Sequence, residues 1–172
     1  RTRDDAAGEA FDKGARLLDL GFPGGPEVDK HSSLSSESFD FPRALLKGSH
    51  DFSFSGMKTA FLNLSERNKP YDKDKISKLC NTFQEAIVDV ITEKTIKAAE
   101  EHKCKGIVVT GGVAANSHLR NEIKRKSLLP VFIPEKKLCT DNGAMIASFV
   151  VENYKKSKSG FNNIDVKSVL NY

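Results

Sequence analysis

Gly106-Ile107-Val108-Val109-Thr110-Gly111-Gly112-Val113-Ala114-Ala115-Asn116 is the stretch that decides the fold. Its unbroken β-branched run, Ile107 to Thr110, predicts a strand buried on both faces of a parallel sheet. Gly111 and Gly112 then turn the chain, and Asn116 to Lys126, with Leu119 and Ile123 inward, predicts a helix. In open α/β sheets ligands bind at the carboxyl ends of strands, where a helix start offers unpaired N–H groups to an anion and small residues let backbone approach a nucleotide. The stretch lacks the Rossmann glycine pattern and the Walker lysine, so its spacing leaves a nucleotide turn and a plain tight turn both open.

Working outward, Val131-Phe132-Ile133 between Pro130 and Pro134 predicts a second short strand, which completes a strand-helix-strand unit. Upstream, Ile76, Leu79, Cys80, Phe83, Ile87, Val90, Ile91 and Ala98 trace an apolar face on a long helix from Asp72 to His102. Further upstream, Asp5 to Leu20 reads as a helix with Ala7, Phe11, Ala15 and Leu18 inward, ended by Gly21. Phe22-Pro23-Gly24-Gly25-Pro26 reads as a tight loop, because prolines lack a donor and glycines favour other backbone angles.

Lys30 to Ser49 is Ser-rich and irregular, Asp51 to Ser55 alternates as a short strand, and Gly56 to Leu64 reads as a helix. A last helix from Thr140 to Lys155, capped by Thr140 or Asp141, precedes a tail in which Ile164, Val166, Val169 and Leu170 form only a weak pattern. The order predicts an α/β chain with helices packed on a small mixed sheet, and the scarcity of strands suggests partner strands upstream of Arg1.

The chain has 172 residues, 38% hydrophobic and 29% charged, which fits a folded, soluble domain rather than a disordered segment. No stretch approaches the roughly 20 apolar residues a membrane-spanning helix needs, so a cytoplasmic protein without a membrane partner is expected. The net charge of +4 is compatible with a nucleic-acid partner without requiring one. Cys80, Cys104 and Cys139 are far apart and read as reduced, mostly buried thiols.

Asp141 stands in Cys139-Thr140-Asp141-Asn142-Gly143-Ala144-Met145, where it is either a helix cap or a metal ligand. One carboxylate cannot hold a catalytic metal, which takes about three protein ligands. His31, His50, His102 and His118 lack the paired helical spacing of a metalloprotease. Asp12 either pairs with Arg16 one turn on, as Glu9 would with Lys13, or frames a pocket with the Gly24-Gly25 loop; Asp29 is a further acid beyond that loop. Lys124-Arg125-Lys126, Lys136-Lys137 and Lys155-Lys156-Ser157-Lys158 either contact phosphates or are solvated helix ends.

Six segments together resemble a known family in sequence and order: Thr2-Arg3-Asp4-Asp5-Ala6-Ala7-Gly8-Glu9-Ala10-Phe11-Asp12-Lys13, Gly21-Phe22-Pro23-Gly24-Gly25-Pro26, Asp51-Phe52-Ser53-Phe54-Ser55-Gly56-Met57-Lys58-Thr59, Phe83-Gln84-Glu85-Ala86, Gly111-Gly112-Val113-Ala114-Ala115-Asn116 and Cys139-Thr140-Asp141-Asn142-Gly143-Ala144-Met145-Ile146. They resemble the bacterial-type TsaD (Gcp) family of tRNA threonylcarbamoyladenosine transferases. The resemblance implies an actin-like ATPase fold (ASKHA, ribonuclease H-like). Residues 1–155 would form most of its second lobe and residues 156–172 a C-terminal tail, the first lobe being absent, so that the isolated fragment is expected to be inactive.

The implied reaction moves the threonylcarbamoyl group from threonylcarbamoyl-AMP to N6 of the adenosine 3′ of the anticodon, in tRNAs reading codons that begin with A. The resemblance implies substrate contacts at Asp12, Gly25, Asp29 and Asn116, a nucleotide turn at Gly111 and Gly112, and one metal ligand, Asp141. Its divalent metal, iron or zinc, would take two histidines from upstream and is expected to be lacking in the fragment. Implied partners are tRNA and the TsaB and TsaE proteins. Alternatives are a glycoprotease, a sugar or acetate kinase of the same fold, and a non-catalytic lobe that binds partner proteins.

Overall fold

A computed structural model describes residues 1–45 and 48–153. The chain divides into two compact units, Arg1–Thr140 and Asp141–Tyr172. In the first, α1 (Ala7–Leu17), α2 (Gly24–Ser32), α3 (Ser55–Arg67) and α4 (Lys73–Glu101) precede β1 (Ile107–Val108), α5 (Ser117–Lys126) and β2 (Val131–Phe132). The second holds α6 (Gly143–Asn153). The basic run from Lys155 and the tail pattern from Ile164 lie outside the described residues.

The centre of the first unit is α4, whose 29 residues begin where the Asp72 side chain accepts from Lys75 N–H. The sequence predicts one apolar face, but from Asn81 to Val90 only Glu85 and Asp89 escape burial, because α1 and α2 pack on one side of α4 and α5 on another. A helix enclosed in this way places even its polar residues in the interior, so Thr82 and Gln84 must find internal partners. Thr82 does so by accepting from Phe39 N–H at 2.8 Å and donating to Lys78 C=O at 2.7 Å. The aromatic centre of the core is Phe83, stacked on Phe61 with ring centroids 4.3 Å apart and edge-on to Phe11 and Phe41. Cys80 is buried beside it, and that burial pushes its thiol up to about 12.

The structure corrects several sequence expectations. Gly24 to Ser32, read as a loop and irregular chain, is helical. Its prolines are tolerated because Pro23 is the cap and Pro26 falls in the first turn, where N–H groups have no intrahelical partner. Gly24 is required there by close approach, since a Cβ would stand 2.6 Å from Asp12 Cα and 2.8 Å from Ala15 Cβ. Helix α1 ends at Leu17, short of the expected Leu20, as Leu18 and Leu20 N–H groups turn back to Ala15 C=O.

The expected strand at Asp51–Ser55 is a single parallel bridge, Phe52 to Thr2. Strand β1 is not covered on both faces: Ile107 is buried but Val108 is 72% exposed. Among the described residues the sheet is parallel rather than mixed, two strands with Ile107 opposite Val131 and Val108 opposite Phe132. Cys104 is exposed, unlike Cys80 and Cys139. At the start of α6 the Asn142 side chain accepts from Met145 N–H at 3.0 Å. No helix of the described residues is long and apolar enough to cross a membrane.

Candidate functional site

The seam between α1 and α2 on one side and the chain after β1 on the other opens into a cavity of about 780 Å³. That volume falls in the range of small-molecule sites. Helix α1 contributes Gly8, Phe11 and Asp12, and α2 contributes Gly25, Pro26, Asp29 and Lys30. Opposite them stand Gly112, Val113 and Ala115 from a 3-10 turn over Gly112–Ala115, then Asn116 and Ser117 at the start of α5, with Lys136 and Thr140 at the rim.

Two acids brace these walls through helix starts. Asp12 Oδ1 accepts from Gly24 N–H at 2.7 Å, which ties α1 to the first residue of α2. Both Asp29 oxygens accept from Ser117 N–H, at 3.2 and 3.1 Å, which ties α2 to the first residue of α5. A carboxylate at a helix N-terminus satisfies an orphan N–H and lies at the positive end of the dipole. Asn116 completes the α5 cap, its Oδ1 accepting from Leu119 N–H at 2.9 Å.

These bonds revise the expectation that α5 offers open N–H groups to an anion, because the Ser117 and Leu119 donors are already engaged by Asp29 and Asn116. The i to i+4 pair expected of Glu9 and Lys13 forms at 2.8 Å, and Lys13 also meets Asp5 at 2.6 Å. Asp12 turns instead to Gly24.

The glycines fall into two kinds. Gly111 has φ of 90°, a left-handed conformation that a side chain would strain. A Cβ on Gly25 or Gly112 would meet no protein atom within 4 Å, so their missing side chains leave room in the cavity itself. Lys136 Nζ reaches Ser117 Oγ at 2.6 Å and brings a positive charge to the rim.

Of the residues singled out in the sequence, Asp12, Gly25, Asp29, Gly112 and Asn116 line this one cavity, with Gly111 directly before it in the turn. Asp141 is exposed and begins the second compact unit. Among the described residues no three His, Cys, Asp or Glu side chains group in a way that could hold a metal ion. The basic run at the end of α5 is partly neutralised: Arg125 bonds Glu122, and Lys126 pairs with Asp89 at 3.0 Å. Lys137 similarly meets Glu135 at 2.9 Å.

Sequence reasoning missed Ser117, Lys136 as a rim residue, and Arg120, whose guanidinium donates to Ala114 and Pro134 C=O, each at 2.8 Å, and so braces the turn. The usable signal was the helix start at Asn116, which puts position 117 at the cavity and 120 one turn on.

The family described as TsaD, tRNA N6-adenosine threonylcarbamoyltransferase, matches residues 1–148. Curated relatives described as tRNA N6-adenosine threonylcarbamoyltransferase include one from Dehalococcoides mccartyi (strain BAV1), 48% identical over 99% of this chain and 51% of its own length. Another from Thermosipho africanus is 46% identical over 96% of this chain and 51% of its own. A third, from Staphylococcus haemolyticus, is 40% identical over 96% of this chain and 52% of its own. The chain thus spans about half the length of the curated relatives it matches. Among solved structures, the crystal structure of T. kodakarensis HypF superposes with a TM-score of 0.63 over 87% of this chain and 20% of that one. Its sequence identity is 16%, so the likeness concerns the fold alone.

Proposed function

This chain belongs to the TsaD family of tRNA N6-adenosine threonylcarbamoyltransferases, and from that membership we propose that its cavity holds the adenylate of threonylcarbamoyl-AMP while the threonylcarbamoyl group passes to N6 of the adenosine 3′ of the anticodon, the acyl–phosphate bond breaking to release AMP and the amine losing one proton. The observation that carries the reading is convergence. Asp12, Gly25, Asp29, Gly112 and Asn116 are drawn from segments far apart in sequence, yet they line one cavity of nucleotide size.

Chemically, the cavity suits a nucleoside. Pro23, Pro26, Val113 and Ala115 offer apolar surface to a base, and Gly25 and Gly112 let backbone come close. A carboxylate has about four acceptor sites. Asp12 and Asp29, each spending part of that capacity on a helix start, keep the rest for ribose hydroxyls. Holding the adenylate rigid is what the transfer needs, since the N6 amine is a poor nucleophile and gains from fixed geometry.

The fold belongs to the proposal as most of the second lobe of an actin-like ATPase, and the partners as tRNA and the TsaB and TsaE proteins. The divalent metal, iron or zinc, does not fit the described residues alone. Asp141 is one carboxylate where about three ligands are needed, and among the described residues no group of three His, Cys, Asp or Glu side chains includes it.

Full-length protein supplied with TsaB, TsaE, the companion synthase, ATP, threonine, bicarbonate and unmodified tRNA should form the threonylcarbamoylated nucleoside, read by mass spectrometry of digested tRNA. Tenfold or greater loss is expected from Gly25→Leu, on the order of 1.4 kcal/mol or more, because its side chain would enter the cavity rather than the protein. Cleavage of a glycopeptide in place of nucleoside formation would overturn the reading.

A further inference from the structure

One motif of the sequence acquires no role from the adenylate reading: Phe83-Gln84-Glu85-Ala86 in the middle of α4. Gln84 is 3% exposed and is not among the residues lining the cavity. Its amide nevertheless touches both walls. Gln84 Nε2 donates to Ser32 Oγ at 2.6 Å, at the end of α2, and Gln84 Oε1 accepts from Asn116 Nδ2 at 2.7 Å, at the start of α5.

The direction of every bond in this chain is fixed by its ends. Leu119 N–H can only donate, so Asn116 must present Oδ1 to it and turn Nδ2 toward Gln84. Gln84 must then present its oxygen to Asn116 and its nitrogen to Ser32. Ser32 Oγ, having accepted, donates to Asp29 C=O at 2.9 Å. One buried side chain thus couples the residue carrying the Asp29 carboxylate to the Asn116 cap, and no flipped amide satisfies the same set.

We infer that Gln84 is a positioning residue that sets the separation of the two cavity walls and the orientation of the Asn116 amide. This deepens the adenylate reading and rests on it for its functional consequence. Hydrophobic packing along α4 holds the walls together but is not directional, whereas hydrogen bonds fix distance and angle.

The test uses the full-length protein with AMP as probe, measured by isothermal titration calorimetry, and with the Asn116 side-chain amide followed by NMR hydrogen exchange. Gln84→Met keeps the length and removes both polar ends. Its AMP affinity should fall on the order of tenfold, as expected when a buried bond is broken and its partner left unpaired, and the Asn116 amide should lose protection. Val90→Ala, in the same helix and buried away from the cavity, is the stability control and should leave affinity within about twofold.

Gln84→Glu gives a readout that a purely structural role would not produce. Its protonated form again offers a donor to Ser32 and an acceptor to Asn116. A buried carboxyl has a raised pKa, so AMP affinity relative to wild type should recover as pH falls from about 8 to about 5.5. Should Gln84→Met fail to fold, Ser32→Ala frees the other end of the amide and should weaken AMP binding severalfold.

Equal losses in Gln84→Met and Val90→Ala, or an Asn116 amide unmoved by Gln84→Met, would overturn the inference. Wild-type protein that ignores AMP while Gln84→Met still releases the Asn116 amide would instead overturn the adenylate reading and leave the positioning role standing.

Discussion

Among the described residues the first unit contains two hydrophobic clusters that differ in how completely they are closed. Around the N-terminal half of α4, Phe11, Phe41, Phe54, Phe61 and Phe83 interlock in a cluster of fifteen buried residues supplied by α1 to α4 and the segments between them. The other cluster has five, Val88, Ala99, Ile107, Leu119 and Ile123, and the strands above it turn Val108 and Phe132 outward at 72% and 63% exposure. The cavity lies on the seam between them, and the bonds that cross the seam are polar: Asp29 to Ser117, Gln84 to Asn116, Asp89 to Lys126. Burial supplies stability without direction, while these bonds supply direction at a modest gain of about 1 kcal/mol each. Stability therefore rests on the aromatic cluster and the geometry of the site on the seam.

Phe83→Ala attacks that division where the expected effect is largest. Phe83 touches three other rings, and the residue deleted cannot be replaced by local collapse, so a loss of about 3–5 kcal/mol is expected. Ile123→Ala, also fully buried but in the smaller cluster beneath exposed strands, should cost about 2–3 kcal/mol because its surroundings can relax. Urea unfolding midpoints of the two variants measure the difference. Equal costs, or a reversed order, would mean that the second cluster is as rigid as the first.

At the seam the expected effect is smaller and more local. Asp29→Ala leaves the first N–H of α5 without its carboxylate and should cost about 1–2 kcal/mol, the range for a lost helix cap. Asp29→Asn keeps one acceptor and should cost about half as much. Faster hydrogen exchange at the Ser117 amide, with the α4 amides unchanged, is the accompanying signature. Uniformly faster exchange throughout α4 would show that the seam carries global stability and is not only a spacer.

How far the sequence reveals these two regions follows the same line. The helices of the aromatic cluster are legible, since α1, α3 and α4 each repeat apolar residues at helical spacing. Helix α2 is not, because Gly24, Gly25 and Pro26 are poor helix formers that are harmless only in a first turn, and no local pattern announces that α2 starts there. The strand before Gly111 is legible in place but not in environment: β-branched residues at Val108 report strand preference, and what covers a face is decided by distant chain.

The cavity residues stand out in the sequence as motifs, yet their bonds do not. Nothing near Asp12 points to Gly24 N–H, or near Asp29 to Ser117 N–H, since those partners lie 12 and 88 residues away. Gln84 illustrates the extreme case, a polar residue in an apolar stretch whose purpose depends on partners 52 and 32 residues distant.

The smallest effect lies at the edge of the aromatic cluster, where the exposed Asp4 carboxylate gathers the start of α3. It accepts from Phe54 N–H at 2.8 Å, Ser55 N–H at 3.3 Å, Ser55 Oγ at 2.8 Å and Ser53 Oγ. The Ser53 hydroxyl foremost, with the Ser55 hydroxyl and the two N–H groups, lowers the carboxyl from 3.8 to about 2. A folded pKa below the unfolded one means that this contribution is complete above 3.8 and fades as pH falls through about 2. Asp51, Glu37 and Glu122 are also lowered, so the wild-type acid limb alone does not isolate Asp4. The difference between wild type and Asp4→Asn does, because the other acids titrate alike in both proteins. Their urea midpoints should differ most near about pH 6 and converge toward about pH 2. A gap that stays constant across that interval would show that the shape of the side chain, and not its charge, holds the start of α3.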